Sequence, residues 1–468
     1  MTCLNKKIFK IISKSSKELK QDSYIVGGYV RDFLLGKPSK DIDIVTTGSG
    51  IHLAEQVSKN IEKKPKVNFF KRFGTAMLIY ENEKIEFVGA RKESYNINSR
   101  NPFIEKGSLI DDQTRRDFTI NSIAISLNKN DYGRLIDPLM GKYDLKKKII
   151  RTTRDPNITY YDDPLRMMRA IRFATQLKFE IEDLSYKFIK KNKERIHIVS
   201  IERIMDEFNK ILSCEKPSIG INLLDDSGLL NIILPELTAL KGIEEKEGYT
   251  HKDNFIHTIE VIDNISKKTN SIWLRWAALL HDIGKTKTKK YLSGVGWTFR
   301  AHEILGSKMI PSIFRRLKLP MGLTMQYIQK IIRYSSRPIS LISNKTTDSA
   351  IRRLLFDLGN DIEDLIMLCE ADITTKNFSK KQQYKSNFNL VSTKFKQIEK
   401  KDKIRNWQPP ISGECIMNTF NLKPCKQVGI IKNSIKEAIL DGKINNEKND
   451  AYIFMLKKGK ELGLKTKN

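Results

Sequence analysis

The hydrophobic period of this chain changes once, and that change limits what it can fold into. Short β-type runs bounded by Gly, Pro, Asn or Ser occur at Tyr24–Val26, Asp41–Val45, Ala76–Tyr80 and Lys84–Val88, all within the first 150 residues. From about Asp162 onward the apolar spacing is helical almost everywhere. The expectation is an α+β head followed by a long helical body. A chain of 468 residues exceeds one ordinary domain. Pro interrupts the pattern near Cys214–Ser218 and Asn406–Pro410. The expected divisions are therefore a head over 1–150, a helical neck over 151–214, a helical body over 215–400 and a helical tail over 401–468. Within the body, Lys376–Lys403 reads as a solvated helical face.

Charge narrows the partners. Lys and Arg number 84 against 55 Asp and Glu, a formal net charge of +29. Such a surface suits a polyanion, because basic side chains release the counterions condensed on nucleic acid. A plain Lys-rich bias gives the same count, and charge does not separate RNA from DNA or a membrane surface. No apolar run reaches the roughly 18 residues of a membrane span. Residues 1–22 carry Lys throughout, and Lys10 interrupts Ile8–Ile12, so the start reads as an amphipathic helix of a cytoplasmic protein and not as a secretory signal. Cys3, Cys214, Cys369, Cys415 and Cys425 are scattered and lack C-x-x-C spacing, which fits reduced thiols.

Three groups of residues carry chemistry. In the first, a strand ends at Gly27-Gly28, a short helix from about Tyr29 carries Arg31-Asp32, and a turn at Lys37–Lys40 leads to Asp41-Ile42-Asp43-Ile44-Val45. Glycines there let backbone approach a ligand, and a helix start offers N–H groups to phosphate. In a strand, Asp41 and Asp43 share one face while Ile42 and Ile44 enter the core. Paired carboxylates repel, and Mg²⁺ bridging them to phosphate oxygens relieves that. Glu86, between Ile85 and Phe87, is either a third carboxylate of this face or an exposed strand residue.

This stretch resembles the opening motif of class II tRNA nucleotidyltransferases, the bacterial CCA-adding enzymes that share their fold with bacterial poly(A) polymerases. The resemblance implies a mixed β-sheet in the head and metal binding by Asp41 and Asp43. Arg115-Arg116-Asp117-Phe118-Thr119-Ile120-Asn121 is similar to the family's second motif over all seven residues. Read as a helix through Ala124, it places Asp117 and Asn121 on one face beside an apolar stripe of Ile120, Ile123 and Ala124. The arginines would grip a triphosphate, and Asp117 with Asn121 would reach ribose hydroxyls. Asp137-Pro138-Leu139-Met140-Gly141-Lys142-Tyr143-Asp144-Leu145 is similar to a third, hinge-ordering motif.

In Asp162-Asp163-Pro164-Leu165-Arg166, Asp163 is a good N-cap with Pro at the first helical position, and Arg166 lies over the same face. A carboxylate beside a guanidinium matches the amino donor and ring-nitrogen acceptor of cytosine and adenine, and mismatches guanine and uracil. The family motif here is Glu-Asp-x-x-Arg, so Asp163 and Arg166 inherit base reading, while Asp162 replaces a longer Glu that would orient the Arg. Arg169 and Arg172 continue a basic stripe facing phosphate or solvent. Glu202–Leu212 resembles the next family motif and reads as helix packing.

The third group is in the body. Of six His, four fall at His251, His257, His281 and His302. His281-Asp282-Ile283-Gly284-Lys285 follows the apolar helix Trp273–Leu280, and Asp372 lies on another helix, Leu365–Thr374. Imidazole with carboxylate suits a transition metal. The segment, about 251–375, resembles the HD phosphohydrolase domain, whose ligand pattern maps onto His257, His281, Asp282 and Asp372. His302 is an additional ligand in a two-metal version, and His251 a weaker candidate. The resemblance, over roughly 20–460, implies addition of C and A to the 3′ end of tRNA from CTP and ATP, with Mg²⁺ at the head and a transition metal at the HD site. Alternatives are an A-adding enzyme, a poly(A) polymerase, or an HD phosphohydrolase whose head only binds RNA. Residues 408–442 resemble the C-terminal segment of HD-containing members, either a basic cradle for the tRNA elbow or a capping helix pair. Oligomeric state is not legible.

Overall fold

The protein is described by a computed structural model covering residues 4–39, 41–70, 74–94, 103–340, 347–375, 377–402, 405 and 407–466. Cys3, Lys40, Lys376, Lys403 and Asn406 lie outside the described residues. Two compact units divide between Pro235 and Glu236. The turn at Cys214–Ser218 lies inside the first unit, not at its edge.

The first unit opens with α1 (Lys7–Glu18), amphipathic as expected, burying Ile8, Phe9 and Ile12. It continues with β1 (Ser23–Val26), α2 (Gly28–Leu34), β2 (Asp41–Thr46), α3 (Gly50–Asn60), β3 (Asn68–Phe70), β4 (Thr75–Tyr80) and β5 (Glu83–Gly89). Next come β6 (Arg91–Ser94), β7 (Phe103–Lys106), α4 (Leu109–Thr114), β8 (Ala124–Ser126), β9 (Leu135–Ile136) and α5 (Gly141–Lys147). The sheet order is β3-β4-β5-β2-β1-β8-β9, mixed because β2 and β5 pair in parallel while their neighbours pair antiparallel. Ile42, Ile44, Ile85 and Phe87 are fully buried, as strand alternation requires. Asp41, Asp43 and Glu86 therefore share the opposite face, with Asp43 directly beside Glu86 in register.

The helical part of this unit is α6 (Pro156–Asp162), α7 (Leu165–Leu177), α8 (Asp183–Asn192), α9 (Ile201–Leu212), α10 (Pro217–Asp226) and α11 (Leu229–Ile233). A small parallel pair, Ile149–Ile150 with Glu180–Ile181, interrupts it. The central helix α7 buries Met167, Met168, Ala170, Ile171 and Ala174 against α9 and α10. The 202–212 segment packs as expected, and its Glu207 also pairs with Arg172 at 2.5 Å.

The 137–145 motif has a structural role that spacing did not reveal. Asp137 accepts the backbone N–H groups of Gly141 and Lys142 at 2.7 and 2.8 Å, capping α5. Asp144, buried, accepts the Thr119 hydroxyl at 2.7 Å and faces Arg151. A Cβ at Gly141 would overlap the Thr119 carbonyl.

The second unit is mainly helical but contains two unforeseen hairpins, Glu245–Lys246 with Tyr249–Thr250 and Lys290–Leu292 with Gly296–Thr298. Its C-terminal helices Gly413–Phe420, Lys426–Leu440 and Lys448–Glu461 close around Ile416, Phe420, Ile431, Ile435, Ile439 and Met455. No described helix is long and apolar enough to cross a membrane. Cys214, Cys369, Cys415 and Cys425 are free thiols.

Replacing Gly141 by Ala should destabilise the first unit by about 1–3 kcal/mol, the usual cost of forcing a methyl into packed backbone. A lowered thermal midpoint in calorimetry checks this, and an unchanged midpoint refutes the close approach at Thr119.

Candidate active site and metal centre

Strand β2 presents Asp41 exposed and Asp43 half-buried on one face. Burial pushes the Asp43 carboxyl above its ordinary range; Arg116 opposes this, while Glu86 and Asp41 add to it. Glu86 thus belongs to the carboxylate face, with Lys84 3.7 Å away. Gly27 adopts φ +74°, and a Cβ there would lie 2.9 Å from Asp43 Oδ2 and 3.3 Å from Arg116 Nη1. Only glycine allows this turn with the carboxylate so close. The crowding of like charges, held on a rigid strand and left partly open, fits a divalent cation. Gly28 begins α2, whose Arg31 is buried: Nε and Nη2 donate to Asp32 at 2.8 and 2.9 Å, and Nη1 donates to Asn121 Oδ1 at 2.9 Å. Arg31 therefore braces the site from inside.

The expected helix over 115–124 is not formed. After α4 the chain turns at Arg115–Phe118, makes a short 3₁₀ turn at Thr119–Asn121, and enters β8. Pairing of β8 with β1 outweighs helical spacing here. Asp117 and Asn121 still meet, Asn121 Nδ2 donating to Asp117 Oδ1 at 3.1 Å. Ile120, Ile123 and Ala124 are fully buried. The ribose-reaching role expected of Asp117 does not fit its bonding. Oδ1 also accepts the Phe118 N–H at 2.9 Å, and Oδ2 accepts Arg169 Nε at 2.7 Å, with the Nη2 cation 2.6 Å away. The carboxylate's acceptor positions are filled from within. Against the opposing cost of burial, Arg169 and Asn121 hold its carboxyl below the usual range. Neither Arg169 nor Arg172 is a free basic stripe, because each pairs with an acid.

Asp163 closes α6, and its Oδ1 accepts the Leu165 N–H at 3.3 Å. The expected N-cap at Asp163 is not formed: Pro164 occupies the N-cap of α7, and Asp163 lies one residue before it. Arg166 is buried; Nη2 donates to the Arg115 carbonyl at 2.8 Å, and Nη1 has no hydrogen-bond partner. Asp162 does not orient Arg166. It accepts Arg154 Nη2 at 2.7 Å. Sequence reasoning also missed Asp112, which grips Arg115 and Arg116; its spacing four residues before Arg116 on a helix was the available signal.

In the second unit, His257, His281 and Asp372 converge, their ligand atoms lying within 4.8 Å of one another. His257 comes from helix Asn254–Ser266, His281 caps helix Ile272–Leu280, and Asp372 caps helix Ile362–Ala371, one residue beyond its end. His257 Nε2 lies 2.7 Å from Asp372 Oδ1, and His281 Nε2 lies 3.4 Å from the same oxygen. His281 Nε2 and Asp372 Oδ1 are buried and make no hydrogen bond of good geometry. Asp282 Oδ2 lies 3.4 Å from His281 Nε2 and 3.7 Å from His257 Nε2, and Oδ1 lies 3.3 Å from His302 Nε2. Lys285, unassigned from sequence, contacts Asp282 Oδ2 at 2.6 Å.

The outward nitrogens are anchored: His281 Nδ1 to the Ala278 carbonyl at 2.8 Å, His302 Nδ1 to the Phe299 carbonyl at 2.9 Å, and His257 Nδ1 to Thr374 Oγ1 at 2.9 Å. Carbonyls only accept, so His281 and His302 carry their protons on Nδ1 and aim Nε2 inward. Burial opposes protonation of His281, but Asp282 and Asp372 prevail and raise its pKa to about 9. A Cβ on Gly284 would strike the His302 carbonyl, so glycine lets the His302 helix approach. His251 is elsewhere, its Nδ1 2.8 Å from the Lys252 carbonyl and its ring against Trp297. A buried His281 whose Nε2 makes no hydrogen bond, beside His257 and Asp372, fits a transition metal.

Three family matches cover most of the chain: the poly A polymerase head domain over 23–151, the probable RNA and SrmB-binding site of polymerase A over 178–241, and the HD domain over 254–374. The A-adding tRNA nucleotidyltransferase of Aquifex aeolicus is 44% identical over 169 residues, 36% of this chain and 20% of that protein. The multifunctional CCA protein of Pseudomonas fluorescens is 31% identical over 310 residues, 64% of this chain and 70% of that one. A solved CCA-adding enzyme, apo form II, shares the fold with a TM-score of 0.65 and 21% identity, covering 96% of this chain and 95% of that one.

Loaded with Ni²⁺, Co²⁺ or Mn²⁺, the protein should retain metal at the histidine cluster. Calorimetric titration should show binding lost in His281→Ala and Asp372→Ala. Thr374→Val should weaken it roughly 10–100-fold, as for loss of a group that orients a ligand.

Proposed function

The chain belongs to the tRNA nucleotidyltransferase family that includes CCA-adding and A-adding enzymes, and from that footing we propose that it adds C and A to the 3′ end of tRNA, using CTP and ATP. The observation that carries this reading is the carboxylate pair Asp41 and Asp43, set on one strand face against the glycine turn. In the reaction the terminal ribose oxygen bonds to the α-phosphorus, the α–β bridge breaks, and pyrophosphate leaves. Asp41 and Asp43 would hold Mg²⁺, which supplies a lowered pKa at the attacking hydroxyl and neutralises charge on the leaving group.

The chain's own groups do the rest. The turn at Gly27 and Gly28 lets the triphosphate approach backbone, with Arg116 beside it to balance charge. Arg31, Asp117, Asn121 and Arg169 hold the turn and α7 in place. Arg166 Nη1, buried and without a partner, is a donor for the ring nitrogen of cytosine or adenine, and Asp163 accepts from the amino group. Guanine and uracil would meet donor with donor and acceptor with acceptor, leaving buried groups unpaired. No template strand is needed, because the protein supplies the pairing edge. The net charge of +29 suits an RNA partner, and we place the reaction in the cytoplasm.

A narrower reading, addition of A alone, is favoured by the 44% identity to an A-adding relative. The histidine cluster supports a second activity on phosphate esters. His257, His281 and Asp372, with Asp282, would hold a transition metal that activates water for attack on phosphorus.

Three tRNA transcripts ending before CCA, after C and after CC separate these readings when incubated with Mg²⁺ and each nucleotide, followed by 3′-end sequencing. Completion of CCA on the shortest, then arrest, is the expected result. Addition of A only after CC identifies an A-adding enzyme, long A tails a poly(A) polymerase, and no addition to any transcript refutes the transferase reading. Asp41→Ala should lower incorporation roughly 100-fold or more while sparing phosphatase activity.

A further inference from the structure

Asp112 lies on α4, outside the seven-residue motif and fully buried. One of its oxygens accepts Arg115 Nε at 2.9 Å and Nη2 at 2.5 Å, and the other accepts Arg116 Nε at 3.1 Å and Nη2 at 2.9 Å. One carboxylate thus holds two consecutive guanidinium groups, each by two bonds. Glu93 supports Arg115 from the far side at 3.1 Å. Without the Asp112 charge, two neighbouring, largely buried cations would face each other across a short gap.

The two arginines lead to different parts of the site. The Arg115 carbonyl accepts Nη2 of the base-reading Arg166 at 2.8 Å. The Arg116 guanidinium extends to the Gly27 turn beside Asp43. From the neck, the Thr153 hydroxyl lies 2.7 Å from the Thr114 carbonyl and 2.6 Å from the Arg116 carbonyl. The Thr153 hydroxyl, shared between two carbonyls, and Arg166 thus hold the backbone from 114 to 116, and Asp112 holds the Arg115 and Arg116 side chains.

We propose that Asp112 is a positioning residue that sets the base-reading Arg166 and the catalytic carboxylate face in a common frame, so that the choice of nucleotide depends on it. Asp112 touches no substrate and acts through Arg115 and Arg116. The inference rests on the transferase reading above and adds to it the residue that ties selection to catalysis. Asp163 and Arg166 alone would read a base equally well in several positions relative to the α-phosphate. The Asp112 clamp leaves one.

The test compares wild type, Asp112→Asn, Asp112→Glu and Arg115→Gln on a tRNA lacking its end, with kcat/KM measured for CTP, ATP, UTP and GTP. Asp112→Asn should lose about tenfold or more of its preference for CTP and ATP over UTP and GTP, the scale set by misaligned buried hydrogen bonds. Asp112→Glu should recover part of that preference. Arg115→Gln, which keeps the carbonyl that Arg166 bonds but removes the guanidinium that ties that backbone to Asp112, should reduce discrimination more than kcat. Partial unfolding would lower all four nucleotides together and leave their ratios intact, so unchanged ratios in Asp112→Asn and Arg115→Gln overturn the proposal. If Asp112→Asn does not fold, Arg115→Gln decides alone. If wild type incorporates nothing, the transferase reading fails. Equilibrium dissociation constants for CTP and GTP then decide the clamp, which is overturned if their ratio is the same in wild type and Arg115→Gln.

Discussion

Asp117 lies where three segments of the first unit meet, and its buried carboxylate is the bond on which their arrangement depends. It takes the Phe118 N–H and Asn121 on one oxygen and the Arg169 fork on the other. Through Asn121 it reaches Arg31 on the glycine-turn helix, and through Arg169 it reaches the helix that carries Arg166. A buried carboxylate is tolerated only when fully bonded, and this one is. The side chain that helical spacing assigned to a ribose is therefore an internal fastener of the first unit. The nucleotide meets a surface already assembled behind it.

Around that fastener the unit separates its charges by layer. The apolar face of the sheet holds Ile42, Ile44, Ile85 and Phe87, and the opposite face gathers Asp41, Asp43 and Glu86. Just beneath, cations and anions alternate: Arg31 with Asp32, Arg115 and Arg116 with Asp112, Arg172 with Glu207. Arg166 Nη1 is buried without a hydrogen-bond partner, and Arg116 Nη1 borders the Gly27 turn beside Asp43. In the proposed reaction these are the two positions that a nucleotide would meet. In the histidine centre of the second unit, Nδ1 of His281 and of His302 is satisfied by a carbonyl, while His281 Nε2 is buried without a hydrogen bond.

Much of this was legible in the residues. Strand alternation placed Asp41 and Asp43 together, and the resemblance to the HD pattern named His257, His281 and Asp372, whose ligand atoms lie within 4.8 Å of one another. What spacing could not supply was tertiary competition. Residues 115–124 have helical spacing, yet pairing with β1 draws 124–126 into the sheet, and the Asp117–Asn121 bond survives on a different backbone. Arg169 and Arg172 look like an open basic stripe because their partners, Asp117 and Glu207, are tens of residues away in sequence. The two short hairpins of the second unit are only two or three residues per strand, too brief for a period to register. Residues 217–233 pack on the helices before them, so the division falls at Pro235 instead of at the earlier proline.

The turn at Gly27 also has a thermodynamic meaning. The wall facing Asp43 is main chain with no side-chain torsions, held at φ +74° between β1 and α2. A surface made of flexible arginine or lysine side chains would lose rotamer freedom each time a ligand settled on it. Bare backbone has little such freedom to lose, so this wall is as ordered before an encounter as after it. The loss of motion has already been absorbed in folding, once per molecule, and is not repeated with every turnover.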